Sequence, residues 1–183
     1  MRRMSLMVAA AMVLSSGVAM AQMAGMAMPA ATPAPAAGPA AEARRSYEAV
    51  KVNVLKSAEL MPADAFTSKP LPDVRTYARI LNHVTEAQLT SCNVMNGDAP
   101  GKPPADTDDK ATIVAALKAS FDACDKAYGA LTDANLADVM TIFKSKRSRI
   151  SVVWGNTSHD SEQYAQLALY LRLKGITPPS SEK

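Results

Sequence analysis

The sequence predicts an all-α domain: a four-helix bundle in which one long crossover connection joins the second and third helices. Four segments carry apolar residues at helical spacing, and the breaks between them are rich in proline, glycine or aspartate. No segment has the features of a convincing strand. The connection APGKPPADTDD is long for two neighbouring antiparallel helices, so it favours a crossover over a plain up-down-up-down order.

The first two helices have recognisable start and stop signals. The first is predicted from about Glu42 to Met61, because Pro62 cannot continue it. The second follows Asp73, a good N-cap, and stops near Asn96-Gly97, a favoured helix end. Their apolar stripes contain Tyr47, Val50, Val54, Ala58 and Met61 in the first helix, and Val74, Tyr77, Ile80, Leu81, Val84 and Ala87 in the second.

The last two helices are predicted in the same way. Asp106 or Thr107 caps the third, whose apolar stripe contains Ile113, Leu117, Phe121, Cys124 and Tyr128. The fourth runs from about Ser148 to Lys174 and is closed by Gly175. A short piece with Val139, Ile142 and Phe143 leads into it, and the basic run KSKRSR (144–149) is interpreted as its solvated start. Trp154 is expected in the core or at one end of the bundle.

The N-terminal region indicates export to the periplasm or the exterior. Residues 1–21 fit a signal peptide, with Arg2 and Arg3 before an apolar stretch and Ala19-Met20-Ala21 as the cleavage site. That stretch is too short for a comfortable membrane span, so none is expected. Residues 22–43 are predicted to form a disordered tether rich in Ala, Pro and Met. The bundle then covers 44–176, and 177–183 form a tail.

Charge and cysteine content narrow the functional classes. The formal net charge of +3 falls by two when the signal arginines are removed, which leaves no electrostatic footprint for nucleic acid. Cys92 and Cys124 lie in an exported chain, where a disulfide between them would persist. Two buried free thiols are the alternative. In a simple antiparallel hairpin the two cysteines would lie at different heights, so a bridge requires the connecting loop to cross.

Polar side chains interrupt the apolar face of the fourth helix. At about 100° per residue, Asn156, His159, Asp160 and Gln163 fall within the arc that otherwise contains Val152, Val153, Tyr164, Leu167, Tyr170 and Leu171. A buried polar group without a partner costs about 1–3 kcal/mol in mutational data. These four side chains therefore need partners, and a bound ligand or metal ion is one candidate.

The two histidines of the chain are candidate metal ligands. His159 and Gln163 are four residues apart and project from one helix face. His83 lies midway along the second helix, beside apolar residues, and Glu86 three positions later is placed to hold its second ring nitrogen. Taken alone, each histidine is more often a hydrogen-bonded structural residue. The pair together with the polar interruption favours a site.

The same segments resemble a known family. The stretches RSYEAVKVNVLKSAELMPADAFTSKPLPDVRTYARILNHV, TSCNVMNGD, SFDACDKAYGALTDANL and HDSEQYAQLALYLRLKGITPPSS are similar to DinB-like four-helix bundles, over about residues 44–181. The resemblance implies a three-histidine site for a divalent metal, usually zinc, nickel or iron. One histidine comes from the second helix, and an H-x-x-x-H pair comes from the last. His83 and His159 match two of these ligands, and Gln163 stands in place of the third.

Two functions are compatible with these residues, and the sequence leaves open whether the chain is an enzyme. In the first, a divalent metal on His83, His159 and Gln163 activates water for a hydrolase or transferase reaction on an unknown small molecule, with Glu86 or Asp160 moving the proton. Because an amide oxygen is a weaker ligand than an imidazole nitrogen, this site is weakened. The second is a non-catalytic binding or structural module with a degenerate site.

Two further interpretations concern other parts of the chain. Met23, Met26 and Met28 are spaced closely enough for Cu(I), although three methionines in an Ala/Pro tether are more often simple low complexity. A homodimer is compatible with a bundle of this size, but no segment specifies one.

Overall fold

The computed structural model describes residues 37–142 and 144–182. The predicted signal peptide, residues 22–36 of the predicted tether, and Phe143 lie outside the described residues. The elements are helix α1 (Pro39–Leu60), helix α2 (Tyr77–Asn96), helix α3 (Lys110–Gly129), strands β1 (Val139–Ile142) and β2 (Ser145–Ser148), and helix α4 (Arg149–Leu173). None of the helices in the described part of the chain combines the length and apolar character that a membrane crossing requires.

The four helices run up, down, down and up. Tyr77 at the start of α2 donates a hydrogen bond of 2.8 Å to the carbonyl of Ser57 at the end of α1, so these two helices are antiparallel. Asn96 at the end of α2 donates to the carbonyl of Ala123 near the end of α3, at 2.8 Å, so α2 and α3 are parallel. The connection 97–109 therefore returns along the bundle. This confirms the predicted all-α bundle with a crossover.

The crossover also explains the disulfide. Cys92 and Cys124 are bonded, with their Cα atoms 4.9 Å apart. Each lies near the C-terminal end of its helix, and parallel helices bring those ends to the same height. The structure therefore contains the disulfide and not two free thiols.

The helix starts differ from the predicted caps. Thr76, not Asp73, caps α2, because its Oγ1 accepts from the backbone N–H of Arg79 at 3.1 Å. Asp109, not Asp106 or Thr107, caps α3 by accepting from the N–H of Thr112 at 2.8 Å. The carboxylate of Asp106 instead accepts from Asn82 of α2 and fastens the crossover to that helix. The predicted stop at Gly97 is confirmed by its left-handed backbone, φ 81°.

Helix α1 begins at Pro39, three residues before the predicted start. The backbone N–H of Ala40 donates to a carboxylate oxygen of Asp133 at 2.8 Å, so a distant side chain satisfies the first turn of the helix. Ala40 and Ala41 are buried. Residues 39–43, which the composition assigns to the tether, therefore belong to the folded bundle.

A β-hairpin between α3 and α4 contradicts the prediction that the domain has no strand. Strands β1 and β2 pair antiparallel, with Met140 opposite Arg147 and Ile142 opposite Ser145. The run 144–149 is therefore mostly turn and second strand rather than a helix start, and α4 begins only at Arg149. Four-residue strands are too short for their alternation to stand out from helical periodicity, which is why the sequence pattern missed them.

The core is formed by the inner faces of all four helices. Tyr47 of α1 stacks on Tyr128 of α3, with ring centroids 4.0 Å apart, and Ile142 of the hairpin is also buried. Trp154 does not join this core. Its side chain is 71% exposed on the outer face of α4, so the expectation of a core or bundle-end tryptophan is wrong.

Candidate functional site

The two histidines of the chain meet inside the bundle. His83 projects from the middle of α2 and His159 from the middle of α4, and their rings lie edge to face with centroids 4.8 Å apart. Their side chains are 27% and 25% exposed, so both rings are in part accessible to solvent. The structure thus brings together the two imidazoles that the sequence places on separate helices.

Each ring has a buried nitrogen without a hydrogen-bond partner among the described residues. These atoms are Nδ1 of His83 and Nε2 of His159. Glu86 lies beyond hydrogen-bond distance of His83, with 3.7 Å between its Oε2 and Nδ1. Leaving such nitrogens unpaired costs about 1–3 kcal/mol each. A ligand that reached these nitrogens would remove that penalty.

Asp160 holds the other nitrogen of His159. Its Oδ1 lies 3.3 Å from His159 Nδ1, and its Oδ2 accepts from Gln88 Nε2 at 2.8 Å. The carboxyl group is completely buried, and this burial raises its pKa above the usual value for aspartate. Asp160 therefore orients the His159 ring and leaves Nε2 directed elsewhere, the usual arrangement behind a metal-binding histidine.

A buried polar network supports Asp160 from three helices. Ser120 of α3 donates to Gln88 Oε1 at 2.6 Å, and Asn156 of α4 lies 3.4 Å from both Asp160 Oδ2 and the Tyr128 hydroxyl. The sequence reasoning missed Gln88 and Ser120. The signal for Gln88 was available, because it interrupts the apolar stripe of α2 in the same way that Asn156 and Asp160 interrupt that of α4.

The amide of Gln163, the residue in the third ligand position, is already engaged. Gln163 is buried, and its Oε1 accepts from Arg75 Nη1 at 3.4 Å and from Gln166 Nε2 at 3.2 Å. The pKa of His83 is lowered, first by burial and then by the positive charge of Arg75. A guanidinium thus lies near both Gln163 and His83, and its field opposes a cation there.

The donor set present fits a metal ion only in part. Among the described residues, no three or more His, Cys, Asp or Glu side chains gather as a metal-binding group. Glu86 is half exposed and pairs with Arg79 at 3.2 Å, while Asp160 is committed to His159 and Gln88. The two unpartnered imidazole nitrogens suit a divalent metal, and the Gln163 oxygen is a weak third donor.

A cavity of about 240 Å³ opens beside His159, between the hairpin and the helices α2 and α4. Its wall combines apolar side chains with a few polar groups, a composition typical of small-molecule sites. The residues that matter for its chemistry are Ala87, Ile142, Arg147, Val152, Asn156 and His159.

Comparison with known proteins identifies the family. The sequence model of the DinB superfamily matches residues 46–167. Among solved structures, a DinB-like protein from Bacillus cereus ATCC 10987 superimposes with a TM-score of 0.63 at 16% sequence identity, covering 75% of this chain and 93% of that protein. At this identity the likeness shows the fold alone. No curated protein matches the chain. Because the family match extends over more than half of the sequence, and the bundle that holds His83 and His159 has the same fold, the chain belongs to the DinB superfamily.

Proposed function

We propose that this protein is an exported, divalent-metal-binding member of the superfamily that carries out hydrolysis or group transfer on a small molecule. The observation that carries the proposal is the pair of buried, unpartnered ring nitrogens on His83 and His159, whose rings lie 4.8 Å apart. Two imidazoles held in this way form the nitrogen part of a metal site before any metal arrives. The Cys92–Cys124 disulfide is compatible with export.

The side chains around the site have different roles in this proposal. A bound divalent metal would acidify water or polarise a carbonyl group of the substrate. With the proton of His159 on Nδ1, that nitrogen donates to Asp160 Oδ1, and the lone pair of Nε2 is left for a ligand. Glu86, 3.7 Å from His83 and half exposed, is placed to exchange a proton with solvent at the edge of the site. Asp160 is too deeply enclosed for that exchange.

The proposed site is weaker than one with three histidines. An uncharged amide oxygen binds zinc less well than an imidazole nitrogen, and Gln163 must give up the hydrogen bonds of Arg75 and Gln166 to take part. We expect metal binding that depends on His83 and His159, with Gln163 contributing little.

The second candidate function is a non-catalytic module with a degenerate site. One observation favours it: the Arg75 guanidinium donates to the amide oxygen of Gln163, the residue in the third ligand position, at 3.4 Å, and so already occupies that oxygen with a positive charge. In that case His83, His159, Gln163 and Asn156 form a water-filled, hydrogen-bonded network that serves the fold or binds a partner without turnover.

Metal titration of the purified, chelator-treated protein tests the proposal. The His83→Ala and His159→Ala variants are each expected to abolish Zn²⁺ binding in a chelator competition and to leave the thermal stability of the metal-free protein little changed. His83→Ala should keep this stability because it removes a buried nitrogen that has no partner among the described residues. His159→Ala also removes the Nδ1 partner of Asp160, but Asp160 keeps its bond to Gln88, so the cost should stay at about 1 kcal/mol. Native-like zinc affinity in either variant, or a sharp loss of stability in the metal-free protein, would favour the structural module.

A further inference from the structure

One face of the β-hairpin points towards the cavity beside His159. Because Met140 pairs with Arg147 and Ile142 with Ser145, these four residues share a face of the two-stranded sheet. Ile142 is buried on that face. Arg147 lies on the same face and lines the cavity, whereas Lys146 lies on the opposite face.

The one cation among the described residues that line the cavity, Arg147, has no neutralising partner there. Arg147 is exposed, and it has no hydrogen-bond or ion-pair partner in the described part of the chain. Arg149, in contrast, lies 3.7 Å from the carboxylate of Asp138. An arginine without a carboxylate partner at the mouth of a cavity favours an anionic ligand, since its planar fork matches a carboxylate.

The inner end of the cavity has an unsatisfied acceptor. Asn156 is 4% exposed and lines the cavity, and its Oδ1 has no hydrogen-bond partner among the described residues. His159, with its unpartnered Nε2, lines the same end. Ala87, Ile142 and Val152 supply apolar surface to the same cavity. The cavity therefore combines an exposed cation, apolar walls and a buried acceptor.

We propose that this cavity binds a small amphipathic carboxylate, with its carboxylate on Arg147, its apolar body against Ile142 and Val152, and a hydrogen-bond donor on Asn156 Oδ1. A volume of about 240 Å³ limits the ligand to less than drug size, since sites for drug-sized ligands span roughly 300–1,000 Å³. The inference names the substrate class of the proposed function. It rests on the proposed function only because it assumes that the reaction takes place at the His159 end of the cavity.

Calorimetric titration of the purified protein with 4-hydroxyphenylacetate tests the assignment, because this probe carries a carboxylate, an apolar ring and a phenol donor. Two analogues isolate the ends: 4-hydroxyphenylacetamide lacks the charge and phenylacetate lacks the donor. Both should bind more weakly than the probe. Arg147→Gln should lower the affinity for the probe by about fivefold, which is the effect expected for one partly exposed ion pair. Lys146→Gln, the same change on the opposite face, should leave its affinity unchanged.

A variant that fills the cavity tests its location. A Cβ atom added at Gly155, which lines the cavity, meets no atom within 4 Å, so a larger residue fits there without a backbone clash. Gly155→Leu should abolish binding of the probe, and Gly155→Ala, which adds one methyl group, should retain most of it. Equal affinities for the acid and the neutral amide, or equal losses in the Arg147→Gln and Lys146→Gln variants, would overturn the proposal.

The proposed metal site and the proposed carboxylate ligand can be tested independently of each other. The probe should bind both the chelator-treated and the zinc-loaded protein, because its contacts with Arg147 and Asn156 need no metal. Zinc binding without probe binding overturns only the ligand assignment. Probe binding without zinc binding overturns only the proposed metal site.

Discussion

The imidazole rings of His83 and His159 lie edge to face, with their centroids 4.8 Å apart, on two helices that are distant in sequence. This contact places the two imidazoles side by side rather than in separate parts of the core. Gln163 belongs to the same region through Arg75, which donates a hydrogen bond to the amide and which, after burial, is the next cause of the lowered pKa of His83. The strength of any metal site here therefore depends on what stands at position 163 and on the charge beside it.

Restoring an imidazole at the third position should strengthen metal binding. We expect Gln163→His to raise the affinity for Zn²⁺ by an order of magnitude or more, because a nitrogen ligand on the same helix face as His159 replaces a weak amide oxygen. A chelator competition measures the change. Ser161→His adds the same side chain two positions away, at an exposed site on a different face of α4, and should leave the zinc affinity unchanged. Equal affinities for Gln163→His and the native protein would contradict the shared site.

Removing the positive charge beside Gln163 should also favour a metal. Arg75→Gln is expected to raise the Zn²⁺ affinity by roughly threefold, a modest effect because Arg75 is exposed and its field is screened. The gain should shrink as the salt concentration rises. Lys174→Gln removes a charge from an exposed position at the end of α4 and serves as the control. A variant that binds zinc no better than the native protein at low salt would show that the guanidinium does not oppose the metal.

Gln88 should contribute substantially to stability. It joins three helices, since it accepts from Ser120 of α3 and donates to Asp160 of α4. Gln88→Leu leaves a buried carboxyl group without its best donor, so we expect a loss of about 2 kcal/mol in the free energy of unfolding, measured in urea. Gln166→Leu, at a partly exposed position, should change it by less than about 0.5 kcal/mol. If both variants unfold at the same urea concentration, the network does not stabilise the bundle.

The helices and the crossover could be predicted because they depend on long, regular signals. Each apolar stripe spans several turns, and the proline-rich connection before α3 is too long for a tight hairpin. The caps could not be predicted to the residue. Asp73, Asp106 and Asp109 are equally good capping residues in isolation, and the bond between Asp106 and Asn82 of α2 removes one of them from competition.

The remaining errors in the fold have the same physical origin. Four-residue strands carry too little periodicity to be distinguished from a helix start. Helix α1 begins at Pro39 because a side chain more than ninety residues away, Asp133, satisfies the N–H of Ala40. The exposure of Trp154 depends on which arc of α4 the neighbouring helices leave uncovered. Contacts between distant segments decide all three features.

The polar residues of the candidate site could be predicted from the sequence, but the side chains that contact them could not. His159, Asp160 and Gln163 stand out because they interrupt an apolar stripe, and Gln88 does so on α2. Arg75, by contrast, lies before the start of α2 in the structure, and only the folded chain shows its contact with Gln163. The cavity beside His159 was likewise hidden, since it depends on the hairpin.

Buried tyrosines should make the protein sensitive to alkaline pH. Burial raises the pKa of Tyr128 to about 12 and also raises those of Tyr47, Tyr77 and Tyr170. These phenols stay protonated in the native state while their unfolded counterparts ionise near pH 10, so unfolding releases protons and stability falls as the pH rises above 10. Each fully buried phenol contributes a slope of about 1.4 kcal/mol per pH unit in this range. Urea unfolding followed by circular dichroism should therefore show a constant midpoint concentration from pH 8 to 9.5 and a steep decline from pH 10 to 12.

The Tyr77→Phe variant tests the role of one of these phenols. It loses the hydrogen bond to Ser57 and should be about 1 kcal/mol less stable at pH 8. Its stability should nevertheless decline less steeply with pH, because one of the shifted phenols is gone. Parallel declines in the two proteins would mean that Tyr77 does not take part in the linkage.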